Sequence, residues 1–585
     1  MNSYSVAKTV PILSQQPSPT QDSSSETYFG LTPDILFLLV SCSVLFIVAI
    51  LAENFSGNGK NVLGTGKWAE QKHKNFARKR SLEQIKNKRH DEVTLWINSP
   101  KISEEGKITG DKDTVWLPDA ARGMSIIGGS GTGKSFTVTK PTLRSAIAQG
   151  LPTMLLDTDY PGLSKTIAPL AQDLGYEVSI FAPGYEESDI CNVVDLIHDC
   201  RDATGASQIS KTLNKNFQMA ADSGAKNDVF FGPAGELATE ASLLLAKALK
   251  YPDILSAFAI LKDEDMIDRV RGVGKIDPWL DLSFGQLLST AKSEKTVDSI
   301  RGTAALLFGQ IMRADILPAL IGKTTIPIDI TGRKLLIFGV KQNIRLVVSP
   351  LIASVIHALI SRNVLQGRKE PLFLSLDEMP SMYFPEISEW LSEKRKYGLC
   401  TQIGYQSLGQ LRKAYTKELA DVIYTNTATK FFFNPQSIDS AKTFSETLGD
   451  KDVVYKTKNR TYGKHRSRTR TEHRTKKRLM SAVEFDSQAD GCCVLLSPGY
   501  GTKTERFIPV RFQPLKITDR ELEIQQAVEE SWEPFLAEKK RTSVGDKRID
   551  PSEITKRIED FQSKLPIVKR GQNTAVPLDM MLQDV

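Results

Sequence analysis

Short apolar runs separated by stretches of helical spacing dominate the chain from about residue 111 to 516. Residues 124–127, 153–156, 178–181, 335–338, 372–376, 401–405, 430–433 and 493–496 each read as a short strand. Continuous rather than alternating apolar content is what a parallel strand covered on both faces requires. Helical segments separate several of these runs, which predicts an α/β domain around a mostly parallel sheet. Between residue 192 and about 331 the strand rhythm stops. Residues 236–250 and 299–312 carry helix formers with apolar helical spacing. An all-helical insertion at 198–332 is therefore expected, dividing the sheet domain into 111–197 and 333–516. Residues 135–149 read as a helix that Pro141 should kink. Residues 517–585 read as a charged tail with one helix near 521–540 and a flexible end.

The front of the chain follows different rules. Residues 1–33 are rich in Ser, Gln, Pro and Thr without any period, the composition of a disordered segment. Residues 35–52 are then uncharged and apolar; as a helix they would span about 27 Å, close to the hydrocarbon thickness of a bilayer. A transmembrane helix at 34–52 is expected. Lys8 is the one strong cation before it, whereas Lys60, Lys67, Lys72, Lys74, Arg78, Lys79 and Arg80 follow. The positive-inside bias places the N-terminus outside, with the rest of the chain in the cytoplasm behind a basic linker at 53–110. At 585 residues the chain needs two or three domains. A net charge of +7 permits a nucleic-acid or anionic-membrane partner. The six cysteines show no C-x-x-C spacing and no paired His, so they read as reduced thiols rather than metal ligands or disulfides.

The candidate chemistry sits at the ends of two strands. Gly128, Gly129, Ser130, Gly131, Thr132, Gly133, Lys134 and Ser135 fill the pattern G-x-x-x-x-G-K-[ST], after a strand and before a helix. There the glycines bring backbone N–H groups to the phosphates of ATP, and the helix N-terminus adds a positive dipole end. Lys134 would reach the β- and γ-phosphates, and Ser135 would hold Mg2+. The apolar run 372–376 ends in Asp377 and Glu378. At the carboxyl end of a parallel strand these carboxylates face the ligand crevice. Asp377 would bind Mg2+ and Glu378 would polarise the attacking water, giving an ATP hydrolase. A second glycine-rich stretch, Gly64-Thr65-Gly66-Lys67-Trp68, lacks both a preceding strand and the Ser or Thr that holds Mg2+, so it is set aside.

From Gly64 to Gln513 the motifs resemble those of the membrane-anchored coupling ATPases of type IV secretion and conjugation, the TraG/TraD class. Carrying the resemblance are Gly64 to Ala69, Gly128 to Ser135 with Pro141-Thr142-Leu143, Leu376-Asp377-Glu378, and Lys394-Arg395-Lys396-Tyr397-Gly398. Gln406-Ser407, Gln410-Leu411, Arg478-Leu479-Met480 and Leu496 to Gly499 complete it. The resemblance implies a RecA-like P-loop motor with an all-helical insertion and a membrane anchor, assembled as a homo-hexameric ring. Such a motor receives a relaxase-bound DNA strand and pumps it into the inner-membrane channel. It also implies that Gln406 senses the γ-phosphate and that Arg395 is an arginine finger entering the neighbouring subunit's site. Two departures stand out. The class usually carries two membrane helices, where one span is found. It usually has Asp-Pro-Lys-Gly-Glu after the second strand, where this chain has Asp157-Thr158-Asp159-Tyr160-Pro161-Gly162.

Residues 456–478 hold eleven Lys/Arg and a single Glu between two strands of the motor, and should emerge as a loop or ribbon. Alternation would set the cations on one side of an extended chain. Arg460, Lys464, Arg466, Arg468, Arg470, Arg474, Lys476, Lys477 and Arg478 are candidates for sequence-independent DNA backbone contact. The alternatives are an anionic-lipid contact or a solvated loop. Two other functions stay open: a chromosomal double-strand DNA translocase of the FtsK/HerA kind with the same motor, and a membrane docking receptor for protein effectors whose ATPase has decayed.

Overall fold

The computed structural model describes residues 66–103, 108–221, 232–290, 294–461, 467–502, 504–542 and 549–567. The expected membrane span at 34–52 lies outside them, as do Lys464 and Arg466. Eleven strands form the central sheet and a separate two-stranded arm; the first nine are β1 Met124–Ile127, β2 Thr153–Asp157, β3 Glu177–Phe181, β4 Lys334–Gly339, β5 Leu372–Leu376, β6 Leu399–Tyr405, β7 Thr429–Phe432, β8 Asp450–Thr461 and β9 Ser467–Arg478. Two more follow, β10 Cys493–Leu496 and β11 Val510–Phe512. The central sheet runs β11-β10-β7-β1-β6-β5-β2-β4-β3, with β10 alone antiparallel to its neighbours. Val510–Phe512 is a strand that the apolar pattern did not announce, because at an edge only Val510 is buried.

Parallel strands need crossovers, and the helices that supply them cover both faces. On one face the apolar helix Arg345–Asn363 packs between sheet and insertion. The stretch Gln342–Asn363 is long and apolar enough to cross a membrane, yet its most apolar window of 18 residues is 72% buried in protein, as a core helix should be. The insertion is built from helices Ala203–Ala221, Gly232–Lys247, Ile254–Lys262, Met266–Val270, Pro278–Thr290 and Glu294–Ile311. Their inner sides share one apolar core with the sheet.

The other face corrects two expectations. Residues 66–110 are no detached linker: Ala77, Leu95 and Ile97 are fully buried in the second core, against β1 and the helix Lys140–Ala148. The side that Gln71–Asn87 buries is mostly polar (His73, Ala77, Ser81 and Gln84), so no apolar stripe marks this helix in the sequence. Nor is the stretch from residue 517 to 567 merely an exposed helix. Asp519–Glu530 and Trp532–Thr542 lie on the motor, with Trp532 against Tyr160 and a buried Arg144–Glu521 ion pair at 2.7 Å. Ser552–Lys564 lies on the insertion, where Phe561 is fully buried and Arg557 grips Asp253 at 2.5 Å. The kink expected at Pro141 takes another form. Ser135–Thr139 is a π turn and the α-helix restarts at Lys140. Pro141 thereby falls in a first turn, where a missing N–H leaves no bond unmade.

Candidate nucleotide site and the pocket at the opposite pole

β1 stops at Ile127 and the chain turns through the glycine-rich loop. Gly131 and Gly133 hold φ of +78° and +92°, which residues with a Cβ rarely adopt. A Cβ on Gly128 would come within 2.5 Å of Phe433, so close packing on β7 also demands glycine there. Lys134 Nζ lies on the Gly128 and Gly129 carbonyls at 2.6 and 2.8 Å. Two loops brace this turn from outside: Gly129 N donates to Asn434 O at 2.7 Å, and Gly491 N donates to Thr132 O at 3.0 Å. Gln436 adds a 3.3 Å bond to Ser130 O. No spacing rule announces Asn434, Gln436 or Gly491, because they reach the loop only through the neighbouring β7 and the chain before β10.

β1 and β5 are separated by β6, so Asp377 and Glu378 emerge one strand away from the loop, at the same carboxyl end. β6 must be thin where it passes Asp377: a Cβ on Gly404 would sit 1.9 Å from the Asp377 carbonyl oxygen. Burial, with Asp157 and Glu378 nearby, pushes the Asp377 carboxyl up to about 7. Burial raises Glu378 as well, against the pull of Gln410, Lys134 and Gln406. The same burial lowers Lys134, with Glu378 and Asp377 opposing it. Asp377 accepts a 3.3 Å hydrogen bond from Thr158, and Glu378 Oε1 is buried with no hydrogen-bond partner among the described residues. Hard oxygen donors beside the Ser135 position suit Mg2+, which takes one or two carboxylates and keeps its other sites for water and phosphate.

The tertiary structure thus brings Lys134, Ser135, Asp377, Glu378 and Gln406 to one crevice. Asp157, the one residue of Asp157-Thr158-Asp159 that the class pattern shares, has a structural role. Asp157 is fully buried and its Oδ2 accepts from Leu163 N, Ser164 N and Ser164 Oγ, capping the following turn. Arg395 is elsewhere. It precedes β6, about 20 Å from the crevice at 3.3 Å per strand residue. There it lines a cavity of about 510 Å³ with Arg122 and Lys430, and no carboxylate lines the same cavity. Lys430 is almost fully buried over the Tyr424 ring, 4.8 Å from its centroid, and burial pushes its amine down to about 8. Arg122 is lowered by burial and by the Arg395 charge. Neither Arg122 nor Lys430 was singled out from the sequence; a lysine near the start of an apolar strand was the one sign available.

The arm β8–β9 is an antiparallel ribbon of twelve paired positions, from Asp450↔Arg478 to Thr461↔Ser467. Arg460, Arg468, Arg470, Arg474, Lys476 and Arg478 fall on one face of it by alternation, and Lys477 on the other.

Sheet order and the helices on both of its faces define an α/β protein with a mostly parallel central sheet, with a glycine-rich turn and two carboxylates at a shared carboxyl end. Residues 371–489 match the family described as the TraM recognition site of TraD and TraG. Over 138 residues the chain is 26% identical to the coupling protein TraD of Escherichia coli (strain K12), a match covering 23% of this chain and 19% of that protein. The chain therefore matches less than a fifth of the length of this curated relative. The fold is that of the bacterial conjugative coupling protein TrwB. Its sulphate-bound form aligns over 73% of this chain and 93% of that one, with TM-score 0.52 and 15% identity. TrwB in complex with ADP and Mg2+ aligns over 73% and 94%, with TM-score 0.50 and 14% identity. The resemblance to the TraG/TraD class of coupling proteins thus holds in a domain, a sequence relative and a fold.

Proposed function

We propose that the chain is the coupling ATPase of a type IV secretion or conjugation system, anchored in the inner membrane by residues 34–52 with its motor in the cytoplasm. In this reading the loop 128–135 binds the phosphates of ATP. Ser135 and Asp377 hold Mg2+, which supplies charge neutralisation of the phosphates when bound. Lys134 leaves its two carbonyl partners for the β- and γ-phosphates. Glu378, whose Oε1 is buried and unpartnered, orients the attacking water, and Gln406 at the end of β6 reads the presence of the γ-phosphate. The complex of TrwB with ADP and Mg2+ supports this choice of cofactors.

The observation that carries the reading is the separation of Arg395 from the crevice of its own subunit. Arg122, Arg395 and Lys430 line one cavity at the amino end of the sheet, and among the described residues no carboxylate lines it with them. A cationic pocket of this kind is complete only when an anion enters it, and the γ-phosphate held by a neighbouring copy is such an anion. Each hydrolytic site then needs two subunits, as in a homo-hexameric ring, and the ring would pass DNA from a relaxase to the inner-membrane channel. The ribbon β8–β9 contacts the DNA backbone.

ATP hydrolysis by the full chain, with and without single- and double-stranded DNA, tests this. DNA should stimulate turnover, and Lys134→Ala and Glu378→Gln should each reduce it by about 100-fold or more, of the order seen for loss of a catalytic proton-transfer or charge-stabilising group. Arg395→Ala subunits should be inactive alone and regain turnover when mixed with Lys134→Ala subunits. Turnover that survives Lys134→Ala, or is indifferent to DNA, refutes the motor.

A further inference from the structure

The two halves of the ribbon differ in charge compensation. Near the base, acids meet cations across the ladder. Asp450 faces Arg478 with an ion pair at 3.3 Å, Asp452 faces Lys476, and Lys456 faces Glu472 with an ion pair at 2.8 Å. Arg474 opposite Val454 is the one cation of that face left without an acid across from it. The compensation ends at the Thr457↔Thr471 pair. Beyond it Lys458 stands opposite Arg470 and Arg460 opposite Arg468 in the register, and no acid occurs at 457–461 or 467–471.

Like charges directly opposite one another destabilise an antiparallel ladder, by roughly 0.2–1 kcal/mol per pair. Two such pairs in succession are therefore a defect in the free ribbon and an asset against a polyanion. Successive same-face positions lie about 6.8 Å apart along each strand and opposed positions about 5 Å across. The four cationic positions thus mark out a compact square, set beyond a base that neutralises itself.

We propose that Lys458, Arg460, Arg468 and Arg470 form a clamp for the nucleic-acid phosphate backbone, while the basal half of the ribbon serves as a self-neutralised stalk. The proposal rests on the reading of the ribbon as a DNA contact and narrows it to four residues. A bilayer surface is the poorer occupant. The distal positions contain no apolar residue, which interfacial anchors need, and their neutral members are Thr, Asn and Ser, residue types that donate hydrogen bonds to phosphate.

The test is the salt dependence of binding of the full chain to single-stranded and duplex DNA, and to vesicles of anionic lipid. The distal variant replaces all four residues by Gln; the basal variant carries Arg474→Gln, Lys476→Gln and Arg478→Gln. The slope of log K against log salt should lose about 3 in the distal variant, from about 0.7 to 0.9 per phosphate contact removed, and less than about 1 in the basal variant. Arg468→Gln alone should remove about 0.7–0.9, which guards against misfolding of the quadruple change. Equal losses from both halves overturn the division while leaving DNA binding standing. A wild-type chain that binds neither DNA form overturns the DNA reading itself. Loss of vesicle binding with an unchanged DNA slope in the distal variant assigns the ribbon to the bilayer and overturns the clamp.

Discussion

Replacing Lys430 with methionine separates what this residue costs the fold from what it does. The amine lies almost fully buried at the start of β7, donating to the Thr427 carbonyl and sitting over Tyr424, with no carboxylate lining its cavity. Burial lowers its pKa from 10.5 to about 8. That difference corresponds to about 3 kcal/mol at about 1.36 kcal/mol per unit, the cost of keeping the charge buried at neutral pH. The charge-assisted bond to Thr427 offsets roughly 1.5–3 kcal/mol of it, so Lys430→Met at pH 7 should change stability by no more than about 2 kcal/mol. The pH dependence is sharper. Below pH 8 the amine is protonated both folded and unfolded, and the difference between the two chains is flat. Between pH 8 and 10.5 the unfolded state holds a proton that the folded state has lost. The wild type therefore gains stability with pH relative to Lys430→Met, by at most about 1.36 kcal/mol per unit. Urea unfolding at pH 7, 8, 9 and 10, read by hydrogen-exchange protection of β7 amides, measures this. Parallel stability profiles for the two chains would refute the buried-charge argument. If the cavity receives a neighbour's phosphate, wild-type turnover should also decline above pH 8, and Lys430→Met should be slow at every pH.

Other expectations follow from single contacts. Gly404→Ala would press a Cβ into the Asp377 carbonyl, and should cost about 1–3 kcal/mol in a urea titration while displacing the strand end that bears Glu378. Arg557→Met leaves the Asp253 carboxylate buried without its cation. A loss of about 3–5 kcal/mol should free the helix Ser552–Lys564 from the insertion, visible as faster amide exchange in both. Gln436→Ala removes the amide bond to Ser130 and should weaken nucleotide binding a few-fold without abolishing turnover, as measured by titration with a fluorescent ATP analogue.

The sheet domain was legible because its strands are buried on both faces, and burial of that kind writes a mostly apolar run at each of eight positions. The phosphate loop was legible for a related reason: tight turns with positive φ demand glycine, and Gly131 and Gly133 adopt such angles. Asp377 and Glu378 stood out as a carboxylate pair that ends an apolar strand downstream of that loop. Local chemistry of this sort is encoded residue by residue, and no neighbour in space is needed to read it.

Contacts across the fold were a different matter. The helices Gln71–Asn87 and Ser552–Lys564 look like charged connecting segments, because each buries only a narrow, partly polar side and much of what covers it is distant in the chain. Arg122, Arg395 and Lys430 converge only because β1, β6 and β7 are adjacent and parallel, which puts their amino ends together. Likewise, the alternation of Arg and Thr in the arm was visible in the sequence, but register alone decided that Arg460 faces Arg468 while Asp450 faces Arg478. The sequence by itself determined most of the sheet's elements and the candidate phosphate loop, since both depend on short-range backbone and side-chain requirements. The tertiary structure decided which distant charges meet and which are left without partners, since that depends on strand order and pairing.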